Sequence, residues 1–181
     1  MGADALGVVN EAPIIRLNLG CGKKLLDGYV NCDLPDNHSG IKPDVECDLR
    51  KLPFPDDYAD EVMAVHVLEH FYQWEAESVI QEWIRVLKPN GRLVLELPCF
   101  EKILKLACDP AIQTDNTKVL VFVYWGLYGD QRYRTDSMQH KWCYSSGMLI
   151  HLLREMGLKD LRLEEPHYHW PQRDMRVVGI K

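Results

Sequence analysis

The sequence has little of what marks secreted, membrane-spanning or disulfide-stabilised proteins. Its six cysteines are about 3% of the chain, below the ~8 to 10% of disulfide scaffolds, and no Cys-x-x-Cys occurs. Residues 119–125 form the longest apolar run, far short of the ~20 residues that cross a bilayer. The first six residues show no signal-peptide or myristoylation pattern. We therefore expect a soluble, cytoplasmic protein with reduced thiols and no membrane partner.

Positive charge is also in short supply. The chain has 21 Lys and Arg against 27 Asp and Glu, which gives a net charge of -6. Because nucleic-acid affinity rests largely on Lys and Arg neutralising phosphates, no nucleic-acid partner is expected. With 181 residues, 46% of them hydrophobic, and ~150 residues per typical domain, we expect one domain over residues 1–181.

Strand and helix patterns alternate along most of the chain. Strands are predicted at residues 14–19, 29–34, 45–49, 61–66 and 92–97, then at 158–164 and 175–180. Helical spacing is found from Trp74 to Leu87 and again over 148–156, where Ser145 or Ser146 can cap the helix and Gly157 can end it. The order predicts an α/β fold, with a mostly parallel central sheet, helices on both faces and an antiparallel C-terminal strand pair.

Two stretches depart from this alternation of strands and helices. Only ten residues separate Leu19 from Val30, so a helix between the first two strands must be very short. Residues 98–144 form an insertion in which 119–128 fits a strand by β-branching or a helix by apolar spacing, with Asp115, Asn116 or Thr117 as its cap. Helix is the favoured interpretation.

The first predicted strand ends in Gly20-Cys21-Gly22, a turn that lets backbone approach a ligand, and the second ends in Asp33, which can accept from ribose hydroxyls. The third glycine of a dinucleotide fingerprint is missing, and Asp33 follows Gly22 by 11 positions rather than ~20, which disfavours nicotinamide cofactors. A phosphate-loop motif is also lacking. Taken alone, the turn could be no more than a tight turn.

A series of short motifs changes this interpretation. In order along the chain stand Leu17-Asn18-Leu19-Gly20-Cys21-Gly22, Asn31-Cys32-Asp33-Leu34, Cys47-Asp48-Leu49, Leu52-Pro53-Phe54, His66-Val67-Leu68-Glu69-His70-Phe71 and Arg85-Val86-Leu87-Lys88-Pro89-Asn90-Gly91. The series resembles the class I S-adenosylmethionine-dependent methyltransferases, in particular the small type 11-like family. The resemblance implies a Rossmann-like fold, S-adenosylmethionine as cofactor and transfer of a methyl group.

The resemblance also implies a set of cofactor-binding residues: Asn18, Gly20, Cys21, Gly22, Asp33, Leu34, Asp48, Leu49 and His66. In such a site the glycine turn passes under the methionine and ribose, and Asp33 binds the ribose hydroxyls. Asp48 accepts from the adenine amino group, although a turn-capping acid is its plainer interpretation. Asn18 stands where an acid is common, and Asn90 replaces the first glycine of the Lys-Pro-Gly-Gly turn.

The acceptor is expected to bind in the 98–144 insertion, which concentrates aromatic and cationic side chains: Trp125, Tyr128, Arg132, Tyr133, Arg134, Lys141, Trp142 and Tyr144. Packing is the plainer role for most of these aromatics. By position and by a pKa near neutrality, His140 is the candidate general base. A structural role is expected for His70. His167 and His169 lack a convincing third ligand, so no metal site is predicted.

The resulting hypothesis is a methyltransferase for a small-molecule acceptor, methylated on oxygen or nitrogen, with a saccharide-related acceptor as one option. Two alternatives stay open. One is a catalytically silent S-adenosylmethionine-binding subunit that supports a partner enzyme, suggested by the reduced first helix. The other is transfer of a different group from the sulfonium, although the acidic motif typical of aminopropyltransferases is not found after the fourth strand. The sequence does not indicate an oligomeric state.

Overall fold

The computed structural model describes residues 13–37, 39–115 and 117–181. Our expectations about targeting signals in the first six residues and about Asn116 as a cap lie outside the described residues. The strands are β1 Arg16–Leu19, β2 Val30–Asp33, β3 Val45–Glu46, β4 Ala59–Val65, β5 Leu87–Pro98, β6 Lys159–Glu164 and β7 Asp174–Ile180. The helices are α1 Gln73–Val86, α2 Phe100–Ala107, α3 Pro110–Asp115, α4 Thr117–Tyr128 and α5 Ser146–Glu155.

These strands form one sheet in the order β3-β2-β1-β4-β5-β7-β6. The first five positions pair in parallel, and β7 runs antiparallel to both β5 and β6. The predicted α/β fold with an antiparallel C-terminal pair is confirmed. Strand order reverses at β1, so β1 and β4 leave the sheet beside each other and open a crevice at their carboxyl ends.

The main core lies on the face of the sheet that α1 and α5 cover. Trp83 of α1 and Leu149 of α5 are fully buried there, against strand residues such as Leu17 and Leu95. The Trp83 indole also donates to the Leu49 carbonyl at 3.0 Å, which ties α1 to the segment after β3. The opposite face is covered less regularly, since a smaller cluster of strand residues packs there against Leu26, Tyr29, Val65 and Tyr168.

Local features follow the predicted pattern closely. Residues 20–29 form turns, and this described stretch contains no helix, so the reduction of the first helix goes further than expected. Residues 119–128 belong to helix α4, as favoured. Ser145 caps α5 by accepting from the Met148 amide at 3.1 Å. Asn90 adopts φ 65°, a left-handed conformation that asparagine tolerates better than most residues, which explains how it replaces a glycine.

The 98–144 insertion leaves the sheet after β5 and returns to it before α5. Its two ends are joined through the backbone. Cys99 and Tyr144 form an isolated parallel β-bridge, and the Phe100 amide donates to the Tyr144 carbonyl at 2.9 Å. Helices α2, α3 and α4 lie between these ends. Of the helices described, none has the length and apolarity that a bilayer crossing demands.

Candidate active site

The turn after β1 is built around glycines. Gly20 has φ +65°, and a Cβ placed on it would lie 2.5 Å from Cγ2 of Val67. Only glycine therefore fits there without displacing Val67, which lies just after β4. Gly22 has φ +50° with open space around it, and its amide donates to Asp33 Oδ2 at 2.7 Å. The turn therefore presents bare backbone along one side of the crevice.

Asn18 has a structural task in this turn. Its amide nitrogen donates to the Lys24 carbonyl at 2.9 Å and to Asn31 Oδ1, also at 2.9 Å. Asn31 in turn accepts from the Leu26 amide at 2.8 Å. The pair of asparagines holds the helix-free segment 20–29 against β1 and β2, a role that an acid at position 18 could not fill because it has no N–H to donate.

Two carboxylates stand at neighbouring strand ends. Asp33 Oδ1 accepts from the Leu34 amide at 2.8 Å while Oδ2 accepts from Gly22, and each oxygen keeps a lone pair for a ligand. Asp48 accepts from the Arg50 amide at 2.9 Å and pairs with the Arg50 guanidinium at 3.2 Å. About half of the Asp48 side chain remains exposed (49%), which leaves it accessible from the crevice.

These elements enclose a cleft of about 680 Å³, a size typical of small-molecule sites. All ten residues singled out from the sequence line it: Asn18, Gly20, Cys21, Gly22, Asp33, Leu34, Asp48, Leu49, His66 and His140. Their individual binding and catalytic roles stay predictions. The cleft extends from the strand ends to the insertion, where Trp125, Met138 and Lys141 form its far side.

A buried polar cluster lies between the two halves of the cleft. His66 ends β4 in a left-handed conformation with φ 54°. Its Nδ1 lies 3.1 Å from Glu69 Oε1, and its Nε2 lies 3.2 Å from Asp174 Oδ2. His140 places Nε2 at 3.9 Å from the same Glu69 oxygen, while its Nδ1 lies 3.0 Å from the Gly126 carbonyl. Glu69 is 1% exposed.

The protonation states in the cluster are strongly shifted. Burial opposes a charge on His66, but the carboxylates of Glu69 and Asp174 outweigh it and raise the pKa of His66 to about 9. Burial likewise opposes a charge on Glu69, yet His66 holds the pKa of that carboxyl at about 2. For His140 and His70, burial dominates and lowers the pKa, to about 4 in His70. At neutral pH both are therefore uncharged.

The sequence reasoning missed the supports of this cluster. Asp174 is fully buried and holds Arg173 in a two-pronged ion pair, with distances of 2.6 and 2.9 Å. His169, to which the sequence analysis assigned no binding role, packs its ring 4.0 Å from that of His66. Its segment is anchored by Glu96, which accepts from three successive backbone amides at residues 167–169. The acidic residue Glu96, near the end of a predicted strand, was the one sequence feature that could have indicated this anchor.

The insertion contributes fewer side chains to the cleft than expected. Trp125 lines it, with the Arg132 guanidinium 4.3 Å from the ring centroid on one side. Tyr144 is 1% exposed and belongs to the main core, against which Trp142 also packs, so these two aromatics are structural. His70 lies 3.2 Å from the Gln139 carbonyl and also lines the cleft, so the structural role expected for it stays a prediction.

Comparison with known proteins matches residues 17–95 to the family model described as a methyltransferase domain. A ubiquinone/menaquinone biosynthesis C-methyltransferase from Cupriavidus taiwanensis is 32% identical over 129 residues, which is 69% of this chain and 50% of that protein. Over these residues the chain is similar to the class I S-adenosylmethionine-dependent methyltransferases. A relative with the same description from Burkholderia mallei is 40% identical over 70 residues, 38% of this chain and 28% of that protein.

Solved methyltransferase structures share the fold. An S-adenosylmethionine-dependent methyltransferase from Archaeoglobus fulgidus gives a TM-score of 0.61 at 15% identity, covering 93% of this chain and 86% of that one. Another, from Methanosarcina mazei, gives 0.59 at 18% identity and covers 94% of both chains. The chain spans half or less of the length of the two curated relatives named above.

The cleft fits S-adenosylmethionine. The turn has glycine at positions 20 and 22, which leaves room for a ligand against the backbone, and a Cβ at position 20 would lie 2.5 Å from the Val67 side chain. Asp33 and Asp48 offer acceptors that match two ribose hydroxyls and an adenine amine.

Proposed function

We propose that this methyltransferase transfers a methyl group from S-adenosylmethionine to an oxygen or nitrogen of a small-molecule acceptor, with a saccharide-related compound as one candidate class. The proposal rests chiefly on one observation, that a single cleft is lined by all ten residues selected from the sequence and continues into the insertion. A cofactor at the strand ends and an acceptor against the insertion would lie side by side in it.

On the cofactor side, Asp33 accepts from the ribose hydroxyls, and Leu34 lies beside it at the same strand end. Asp48 accepts from the adenine amine next to the Leu49 backbone. Gly20, Cys21 and Gly22 allow close approach of the methionine and ribose part, because a turn with glycine at both flanks adds little side-chain bulk. Asn18 contributes indirectly by fixing this turn.

His66 borders the methionine part from the end of β4. When bound, S-adenosylmethionine supplies an electrophilic methyl group and leaves its sulfur as a neutral thioether once that group has been transferred. The protein's task is thus mainly alignment, and a base matters only for a nucleophile that must lose a proton. His140 is uncharged at neutral pH, as a base must be, and its role as the general base stays a prediction.

On the acceptor side, the cleft offers an aromatic face at Trp125, a thioether at Met138 and an ammonium at Lys141. This mixture suits a ring that carries hydroxyl or carboxylate substituents. The curated relatives are described as C-methyltransferases. An acceptor panel should therefore include phenolic rings that can be methylated on carbon, alongside hydroxyl and amine acceptors.

Calorimetric titration with S-adenosylhomocysteine tests the cofactor half of the proposal, and we expect saturable binding at one site per chain. Transfer of radiolabelled methyl groups to an acceptor panel tests the catalytic half. If the folded protein does not bind S-adenosylhomocysteine, the whole proposal is contradicted. Tight binding without transfer to any acceptor would favour the silent-subunit alternative instead.

The absence of a nucleic-acid or membrane partner stays a prediction from the sequence. A cytoplasmic location stays a prediction from the cysteine content, and the oligomeric state stays open. Separation of S-adenosylhomocysteine-bound protein by size in solution would measure that state directly.

A further inference from the structure

The buried Glu69 carboxylate has few hydrogen-bond donors. Its side chain is 1% exposed, His66 Nδ1 lies 3.1 Å from Oε1, and no described residue donates to Oε2. A buried carboxylate normally accepts several hydrogen bonds, because its desolvation is otherwise expensive. Its surroundings therefore have to supply a positive charge.

Two histidines present ring nitrogens to this carboxylate. The candidate ligand atoms of His66, Glu69 and His140 all lie within 4.8 Å of one another. A metal ion with bonds of about 2.1 Å to its ligands places those ligand atoms roughly 3.0 to 3.4 Å apart. The measured separations from Glu69 Oε1 are 3.1 Å to His66 and 3.9 Å to His140, so small side-chain shifts would bring all three onto one ion.

The far nitrogens of both rings are already engaged. His66 Nε2 faces Asp174 Oδ2 at 3.2 Å, and His140 Nδ1 faces the Gly126 carbonyl at 3.0 Å. Both partners are acceptors, so each ring donates outward and turns its lone pair toward Glu69 in the neutral form. Metal-bound histidines are typically oriented in this way by a carboxylate or a carbonyl.

The local charge also suits a cation. Glu69 and Asp174 carry two negative charges, and Arg173 compensates one of them through its ion pair with Asp174. The alternative set of His66, His169 and Asp174 is less suitable, because Asp174 already accepts from Arg173 and the Trp170 amide.

We propose that His66, Glu69 and His140 bind one divalent transition-metal ion at the junction of the cofactor and acceptor halves of the cleft. Two imidazoles and one carboxylate suit Zn²⁺ or Mn²⁺ better than Mg²⁺ or Ca²⁺, which prefer oxygen ligands only. His66 and His140 line the cleft, so an open coordination position there can take a hydroxyl or carboxylate oxygen of the acceptor. This last assignment rests on the proposed function.

The metal gives His140 a different role from that of a general base. Its Nε2 lone pair is committed to the ion, and the acidity of an acceptor hydroxyl is raised by the cation instead. The acceptor proton then leaves to solvent, the oxygen's electron pair forms the bond to the methyl carbon, and the carbon–sulfur electron pair remains on sulfur. A chelator would thus suppress transfer without removing the cofactor site.

Metal binding can be measured on the full chain after dialysis against a chelator and its removal. Calorimetric titration with MnCl₂ and ZnCl₂ should show one equivalent bound, and Co²⁺ should give visible absorption bands from nitrogen and oxygen ligands. E69Q and H140Q should each weaken binding by more than about 100-fold, since loss of a ligand exceeds the 10- to 100-fold effects of outer partners. E69Q keeps the side chain's shape, and thermal unfolding checks that it folds.

A matched control is available within the chain. His151 is exposed on α5, and H151Q should bind metal as the wild type does. No saturable binding of either metal, or equal affinity in E69Q and the wild type, would overturn the proposal and leave a protonated His66 as the partner of Glu69.

Titration of the same preparations with S-adenosylhomocysteine separates this inference from the proposed function. Cofactor binding without metal binding would refute the metal site alone. Metal binding without cofactor binding would support the site while removing the methyltransferase proposal on which the acceptor's position rests.

Discussion

Replacement of Asp33 by alanine tests the cofactor site at its most specific contact. Its carboxylate lines the cleft and is fixed by the Gly22 amide at 2.7 Å and the Leu34 amide at 2.8 Å. Because the orientation is set before binding, little ordering is needed when the ribose hydroxyls donate to it. Losing two charge-assisted hydrogen bonds should cost about 1.5 to 3 kcal/mol, or roughly 10- to 150-fold in Kd.

The same replacement has a smaller effect on folding. The Gly22 and Leu34 amides lose their acceptor, but they lie at the cleft, where water can replace the carboxylate. We therefore expect a loss of about 1 kcal/mol or less in the free energy of unfolding, which corresponds to roughly 2 to 4 °C in Tm for a chain of this size. The variant should remain folded at the temperature of the binding assay.

Calorimetry with S-adenosylhomocysteine measures the predicted change. D33N keeps one acceptor oxygen without the charge and should fall between the wild type and D33A. Asp36 is exposed and lines the same cleft, so D36A controls for the general loss of negative charge there. An affinity for D33A within twofold of the wild type, or losses of equal size in D33A and D36A, would refute the reasoning.

Three further changes test the framework around the cleft by chemical denaturation. Gly20→Ala should cost about 1 to 3 kcal/mol, because φ is +65° and the new Cβ would lie 2.5 Å from Val67; an unchanged unfolding midpoint would contradict this. Arg176→Met should cost about 3 kcal/mol by leaving the fully buried Glu96 with one partner fewer, and E96Q combined with it should restore part of the loss. Ser145→Ala should cost about 1 kcal/mol through loss of the α5 cap. An unchanged free energy of unfolding would show that this cap does not stabilise the protein.

Much of the cofactor half could be predicted because its residues follow strand ends directly. Gly20 and Gly22 come after β1, and Asp33 is the last residue of β2. In a parallel sheet, a residue's place relative to its strand end fixes which edge of the sheet it reaches. A short linear motif is then enough to place a side chain in the cleft, even where the first helix is absent.

The buried cluster could not be predicted in the same way. His66 and Asp174 are 108 residues apart in sequence, yet their side chains meet because β7 inserts antiparallel beside β5. No periodic pattern in the sequence indicates that Glu69 is buried. None indicates how the rings of His66 and His140 are oriented. Asn18 shows the same limit, since the motif implied a cofactor-binding residue and did not indicate that its amide group secures a turn.

The Glu69 backbone also fixes the insertion to the edge of the sheet. Its carbonyl accepts from the Lys141 amide at 2.7 Å and the Trp142 amide at 3.2 Å, directly after His140. The insertion is therefore fixed to the end of β4 by backbone contacts that do not depend on the side chains at positions 141 and 142, and its ends are joined at Cys99 and Tyr144. Residues between these fixed points can change with little effect on loop-closure entropy, which grows only slowly with length. If the acceptor binds there as proposed, its identity can change without moving His66, Glu69 or His140.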